Sequence, residues 1–278
     1  MLHYFLLRLK PTYFVHLKKL CQNSSITLIR KSTELFLLAS LLLPGFIPKA
    51  LAQTEHIAQY YNRLQKESKR EPQTIRFVEG SVGLVDDHTK LSQILLLRHG
   101  EPALDKKGRR RQEAIKYIHD YDSVGVYSPG YIPVKLLSDE LQVIHTSTIA
   151  RSISTARLVF NQEDIQRPDA LFREFERKIF SFPNIKLPLS WWLTGSRLLW
   201  FMGFNKKGIE SFSQAKARAK SAALFLEKDA LENGKTLLVS HGLLNHYLVK
   251  YLKKNGWEEV YDGGKGYLSQ KLLIRYED

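Results

Sequence analysis

The 278-residue chain carries 42 Lys and Arg against 28 Asp and Glu, a net charge of +14, with 44% hydrophobic residues, 16 Gly, 10 Pro and one Cys. That length and apolar content give room for one sizeable domain with an appendage and exclude a low-complexity chain. A lone Cys excludes a disulfide framework and a thiolate metal cluster; the positive excess suits an anionic substrate or surface, and no nucleic-acid-binding module is recognisable, which argues against a nucleic-acid partner.

Residues 1–52 hold seven Lys/Arg and one acidic residue, so +6 of the charge belongs to this stretch and +8 to the rest. The apolar run Leu35 to Leu43 is broken by Pro44-Gly45 and followed by Ala50-Leu51-Ala52. It is shorter than the ~20 residues of a membrane span. With its small-x-small end before Gln53 it reads as a secretory leader, which implies a periplasmic or secreted protein. An uncleaved segment that tethers the protein to a membrane, or a buried N-terminal helix, is the alternative. Cys21 precedes the cleavage site, so the mature chain carries no thiol.

Residues 53–90 read as a connector. Ile57, Tyr60, Tyr61 and Leu64 have helical spacing, Glu67 to Pro72 breaks that helix, and Ile75 to Val85 adds a short strand or loop against the domain. The main domain is expected over 91–278.

Its first element is the apolar run Ile94 to Leu97, a buried strand that ends at Arg98-His99-Gly100-Glu101-Pro102. Such a turn presents an Arg and a His at the carboxyl end of a strand, where ligands sit in open α/β sheets. A guanidinium forks onto two phosphate oxygens while an imidazole supplies a nucleophilic nitrogen. The basic stretch Lys106-Lys107-Gly108-Arg109-Arg110-Arg111 follows. It is either a solvated loop or a source of one further phosphate contact.

Val143 to Ala156 reads as a strand, a Ser/Thr cap and a helix with Arg151 in its first turn. His145 lies within that strand and reads as a packed residue. Leu171-Phe172-Arg173-Glu174 comes next. Phe180 to about 208 holds three of the four Trp, with Arg197 among them, and is expected as a helical hairpin packed over the core. A substrate-selecting lid or a membrane-surface contact is the functional alternative. Phe212 to Leu231 reads as a helix with Ala215, Ala219, Ala222, Ala223 and Leu226 inward, ended by Asn233-Gly234. Thr236 to Ser240 is a second buried strand with His241 at its tip, running into a helix that carries His246. Gly263-Gly264-Lys265-Gly266 lacks P-loop spacing and reads as a turn before a last, edge strand over 267–276. The alternation predicts an α/β fold: a three-layer αβα sandwich with a mostly parallel central sheet and a helical cap insertion. Arg98 and His99, Arg151, and His241 should then meet at one sheet edge. Helix amino-termini add positive potential there.

Four motifs in this order, Arg98-His99-Gly100-Glu101, Ser147-x-x-x-Arg151-x-x-x-Thr155-Ala156, Leu171-Phe172-Arg173-Glu174 and Ser240-His241-Gly242, resemble the histidine phosphatase superfamily, in its phosphoglycerate-mutase-like branch. The resemblance covers about Leu91 to the end. It implies a phosphohistidine on His99, with Arg98, Arg151 and His241 holding the phosphoryl group. Arg109 resembles a further contact, Arg110 and Arg111 being the alternatives one or two residues on. A carboxylic acid would protonate the leaving alcohol; Glu174 stands where the family places it, with Glu176 and Glu101 as alternatives. No cofactor or metal is implied. The expected activity is hydrolysis of a small phosphomonoester, or of a phosphorylated envelope glycan or lipid. A phosphoglycerate-mutase-type transferase and an inactive phospho-ligand-binding protein are the alternatives.

Overall fold

The computed structural model describes residues 49–67, 74–80, 83–105, 110–136, 141–161, 166–181 and 185–277. The leader through residue 48 and the stretch 106–109, with Arg109, lie outside the described residues. The elements in chain order are α1 (Lys49–Glu67), β1 (Leu91–Arg98), α2 (Arg111–Ser123), β2 (Ile144–Ser147), α3 (Ala150–Phe160) and β3 (Gln166–Asp169). Then come α4 (Leu189–Phe201), α5 (Phe212–Asn233), β4 (Lys235–Ser240), α6 (Gly242–Lys254), β5 (Glu258–Asp262) and β6 (Gln270–Tyr276).

The six strands form one mixed sheet in the order β3-β2-β4-β1-β6-β5. β3, β2, β4 and β1 run parallel, and β6 is antiparallel to both β1 and β5. The fold is thus the expected α/β sandwich with a mostly parallel sheet. β1 is buried along its length except at Arg98, as a strand covered on both faces must be. Strand alternation sends Leu95 and Leu97 to one face and Ile94 and Leu96 to the other, into two separate core clusters. The second cluster is filled by α5 and α6: Ala215, Ala219, Ala222, Ala223 and Leu226 all face inward, with Leu244, Leu248 and Leu252 beside them. α5 begins at a capping box, where Ser211 Oγ accepts from the Gln214 N–H, and ends at Gly234, whose φ of 75° suits a residue without Cβ.

Three expectations change. First, the helix at Ile57 and Tyr61 joins the domain core rather than linking to it, alongside the segment from Ile75 that is expected against the domain. Ile57, Tyr61, Ile75, Phe77 and Val78 are buried with α3 against the sheet. The Gln93 side chain accepts from the Val78 N–H at 2.7 Å and donates to the Val78 carbonyl at 3.0 Å. That pair pins the segment to β1. Second, the last strand is not the edge. β6 is sandwiched between β1 and β5, and β5 takes the edge. Third, among the described residues the cap contributes one helix, α4, rather than a hairpin. It packs with α2 in a small third cluster built on Ala114, Tyr117, Ile179, Leu189 and Trp192. Gly195 lets the Phe180 ring lie close against α4, since a Cβ there would stand 3.1 Å from it. His145 is packed as expected, with Nε2 3.1 Å from Asp229 Oδ2.

Candidate active site

Parallel pairing decides where the functional side chains meet. Arg98 is in register with Ser240 across β1 and β4, so the next residue of each chain segment, His99 and His241, emerges side by side. Their ring centroids lie 5.2 Å apart. β2 lies beyond β4 and runs the same way, so α3 starts at the same edge and brings Arg151 in its first turn. Arg98, His99, Arg151 and His241 therefore converge, as the sequence predicts.

His99 is buried, and its Nδ1 lies 2.7 Å from the Gly100 carbonyl. A carbonyl only accepts, so Nδ1 carries the proton and Nε2 keeps its lone pair. Arg151 Nε donates to that Nε2 at 3.2 Å. Burial, with Arg151 close by, pulls the His99 pKa down to about 3, so the ring is neutral at physiological pH. The turn itself is held by Thr155, whose Oγ1 accepts from the Gly100 N–H at 2.8 Å and donates to the Arg151 carbonyl at 2.6 Å. Arg151 is buried; its Nη1 donates to the Tyr121 carbonyl at 2.7 Å and to Asp122 Oδ1 at 2.8 Å. Its guanidinium also lies 4.2 Å from the Tyr121 ring centroid.

Arg98 lies 4.6 Å from the Tyr267 ring centroid, and its Nη1 donates to the Lys265 carbonyl. It rests on the start of α6, where a Cβ on Gly242 would come within 3.2 Å of Arg98 Nε. His241 is fully buried, with Nε2 3.3 Å from Ser152 Oγ. Burial, then Arg151, His99 and Arg98, hold its pKa well below the usual value. Arg98 Nε and His241 Nδ1 are buried with no hydrogen-bond partner among the described residues.

A cavity of about 540 Å³ opens over this edge, with Arg98, His99 and Arg151 on its floor and α2 and α4 on its walls. Glu174 lines it, and with Arg98 and Arg177 also lines a second, larger cavity along α6. The irregular segment that carries Glu174 is clamped on both sides. Arg218 donates to the carbonyls of Leu171 and Arg173, and Arg197 to those of Phe175 and Glu176. Of the alternative acids, Glu176 also reaches the cavity but accepts from the Glu210 N–H at 2.5 Å, while Glu101 is exposed on the turn after His99. Arg110 is exposed at the start of α2, and Arg111 Nε donates to the Phe180 carbonyl at 3.1 Å.

Sequence reasoning missed Tyr121 and Asp122, at the end of α2, and Tyr267, in the loop before β6. None belongs to a motif, and each reaches the site only through tertiary packing. Arg177 appears in the sequence only as a neighbour of Glu174, yet it stands at the junction of the two cavities. Burial lowers its pKa against the raising effect of Glu174. Burial, then the neighbouring Arg177, brings Arg197 to about 10.

The family model described as histidine phosphatase superfamily (branch 1) matches residues 94–273. The chain belongs to the histidine phosphatase superfamily. Members of this superfamily are phosphatases and mutases, which places the chain among phosphoryl-transfer enzymes. A search of the curated proteins finds no match. Among solved structures the chain is similar to a phosphoglycerate mutase from Bacillus anthracis str. Sterne, at 15% identity over 68% of this chain and 91% of that one, TM-score 0.44. It is similar to a mycobacterial glucosyl-3-phosphoglycerate phosphatase at 19% identity, over 66% and 90% of the two chains, TM-score 0.40. It is also similar to Bacillus stearothermophilus YhfR at 21% identity, over 58% and 80%, TM-score 0.37.

Proposed function

We propose that this superfamily member hydrolyses a phosphomonoester through a phosphohistidine on His99. The observation that carries the reading is the pinned imidazole. The Gly100 carbonyl holds the proton on Nδ1, which leaves a neutral Nε2 lone pair beside Arg151. In the first step Nε2 forms a bond to phosphorus and the ester P–O bond breaks. The departing alkoxide takes a proton from Glu174. In the second, water attacks phosphorus, the P–N bond breaks, and the water proton goes to the Glu174 carboxylate, releasing orthophosphate.

Arg151 Nε–H, which now points at Nε2, is the donor a phosphoryl oxygen would take over. The unpartnered Arg98 Nε and His241 Nδ1 are the other two donors left for phosphoryl oxygens. If Ser152 donates to His241 Nε2, Nδ1 of that ring carries the hydrogen. Donors gathered at one sheet edge would supply charge stabilisation where it develops. The cavity walls accept a substrate body of small-molecule size, and apolar Ile118, Leu189 and Leu193 among the lining suit a partly apolar one.

The test is phosphate release from p-nitrophenyl phosphate by the full chain in EDTA, beside His99→Ala. Turnover should survive chelation, need no acceptor alcohol and vanish in the variant. An acid-labile, alkali-stable phosphoprotein should appear on rapid quench. Turnover by His99→Ala, or none by folded wild type, overturns the reading; phosphate transfer only in the presence of an acceptor alcohol would favour a mutase.

Export is the second part of the proposal and rests on the apolar run Leu35 to Leu43 and the Ala50-Leu51-Ala52 step. Cleavage there removes only the first turn of α1 and keeps the buried Ile57 and Tyr61. Amino-terminal sequencing of the protein recovered from cells should begin at Gln53; a start upstream of residue 35 refutes cleavage.

A further inference from the structure

One face of α4 has no partner among the described residues. Trp191, Leu198 and Met202 recur at helical spacing and fall on one side, 69%, 57% and 52% exposed. Phe204, just beyond the helix, is 79% exposed. The opposite side carries Leu189, Trp192, Ser196 and Trp200, all buried. The only charge on the helix, Arg197, is turned away to the carbonyls of Phe175 and Glu176. An outward row of large apolar side chains of this kind marks an interaction site.

Charge identifies what the face meets. No Asp or Glu occurs between Glu176 and Glu210, while Arg177, Lys178, Lys186, Arg197, Lys206 and Lys207 do. Lys186 precedes the helix, Lys206 and Lys207 follow it, and all three are exposed. A charge-free apolar face with an exposed Trp, bracketed by exposed lysines, suits the interface of an anionic bilayer, the apolar side chains entering the acyl boundary and the lysines reaching the headgroups, while the opposite side of the helix is anchored in the protein. No described helix is long and apolar enough to cross a membrane. A second copy docked on the same face would oppose two sets of these lysines, which like-charge repulsion disfavours.

We infer that α4 and the following turn dock on the surface of a bilayer containing anionic phospholipid, inserting Trp191, Leu198, Met202 and Phe204. Leu189, Leu193 and Arg197 of the same helix line the 540 Å³ cavity. Docking would therefore set the cavity against the lipid headgroups. The inference stands apart from the catalytic proposal, because vesicle binding and turnover can fail independently.

The four Trp of the sequence make the test specific. Trp192, Trp200 and Trp257 are fully buried, and the leader has none, so Trp191 alone reports contact with lipid. Full-chain protein is titrated with phosphatidylcholine vesicles with and without phosphatidylglycerol, carrying brominated acyl chains. The Trp emission should shift to the blue and be quenched with phosphatidylglycerol present, and Trp191→Phe should remove that response. Leu198→Glu/Phe204→Glu should weaken vesicle affinity tenfold or more while p-nitrophenyl phosphate turnover is unchanged. If this variant misfolds, quenching in the wild type against Trp191→Phe still decides. Pelleting with vesicles without quenching would mean that only the leader binds, and it overturns the inference. So do equal affinity for neutral vesicles and a dimer in solution that shields Trp191.

Discussion

Lowering the pH should destabilise this protein through His99. In the unfolded chain the imidazole titrates near its ordinary 6.5; in the fold burial and Arg151 pull it to about 3. A base whose folded pKa is depressed contributes stability above its unfolded pKa. That contribution is lost as the unfolded state gains a proton the fold cannot accept, and the loss runs from about pH 6.5 down to about pH 3. Between pH 7.5 and pH 5 the unfolded His99 becomes almost fully protonated and the folded one stays neutral. The cost is about 2 kcal/mol, or about 4–8 °C in Tm for a domain of this size. His241, fully buried and shifted the same way, adds to the wild-type slope. His99→Asn isolates the first part, because an amide can still donate to the Gly100 carbonyl but does not titrate in this range. Thermal unfolding of both proteins at the two pH values should show about 2 kcal/mol less pH sensitivity in the variant. Parallel losses in the two proteins would mean that His99 is not held neutral in the fold, and the argument for its nucleophilic Nε2 would go with it.

Glu174→Gln should slow hydrolysis of an alkyl phosphate by about 10²–10⁴ and barely touch p-nitrophenyl phosphate, whose leaving group needs no proton; rates on the two substrates check this. Asp122→Asn removes the carboxylate beside Arg151 Nη1; that carboxylate is half exposed, so screening holds the loss to about 1 kcal/mol, roughly fivefold in kcat/KM. Gly242→Ala places a Cβ 3.2 Å from Arg98 Nε. Displacing that side chain by about 0.5–1.5 kcal/mol of rotamer strain should raise the inhibition constant of orthophosphate about two- to tenfold with Tm nearly unchanged. Thr155→Val orphans the buried Gly100 N–H and should cost about 1–3 kcal/mol of stability in urea unfolding.

The strand tips were legible because the apolar runs before Arg98 and His241 are continuous, and continuous apolar runs mean central parallel strands whose ends share an edge. The segment before β1 misled for the opposite reason. Ile57, Tyr61, Ile75 and Phe77 are spread through polar sequence, and only the Gln93 side chain, buried in a strand, hints at what holds them. β5 is short and mostly polar, with Glu258, Glu259 and Asp262 around Val260 and Tyr261, so β6 looks terminal in sequence and is not so in space. Tyr121, Asp122 and Tyr267 carry no local signal, since their roles come from contacts with Arg151 and Arg98, tens of residues or more away in the chain.

The way the cations are tethered bears on what the site can bind. Arg98 is held by the Lys265 carbonyl and the Tyr267 ring, and Arg197 by the carbonyls of Phe175 and Glu176. Arg151 has the Tyr121 carbonyl and ring, and a single carboxylate, Asp122, that is half exposed. Carbonyls and π-faces orient a guanidinium without neutralising it. Had carboxylates done this work, the side chains would be as well placed, but their field would be spent within the protein. As built, the positive potential remains directed into the cavity, and the same potential helps keep His99 and His241 uncharged. Neutral tethers on Arg98 and Arg197, with only one half-exposed carboxylate on Arg151, thus serve two needs of phosphoryl transfer at once: an attractive field for a dianion and an unprotonated nitrogen to attack it.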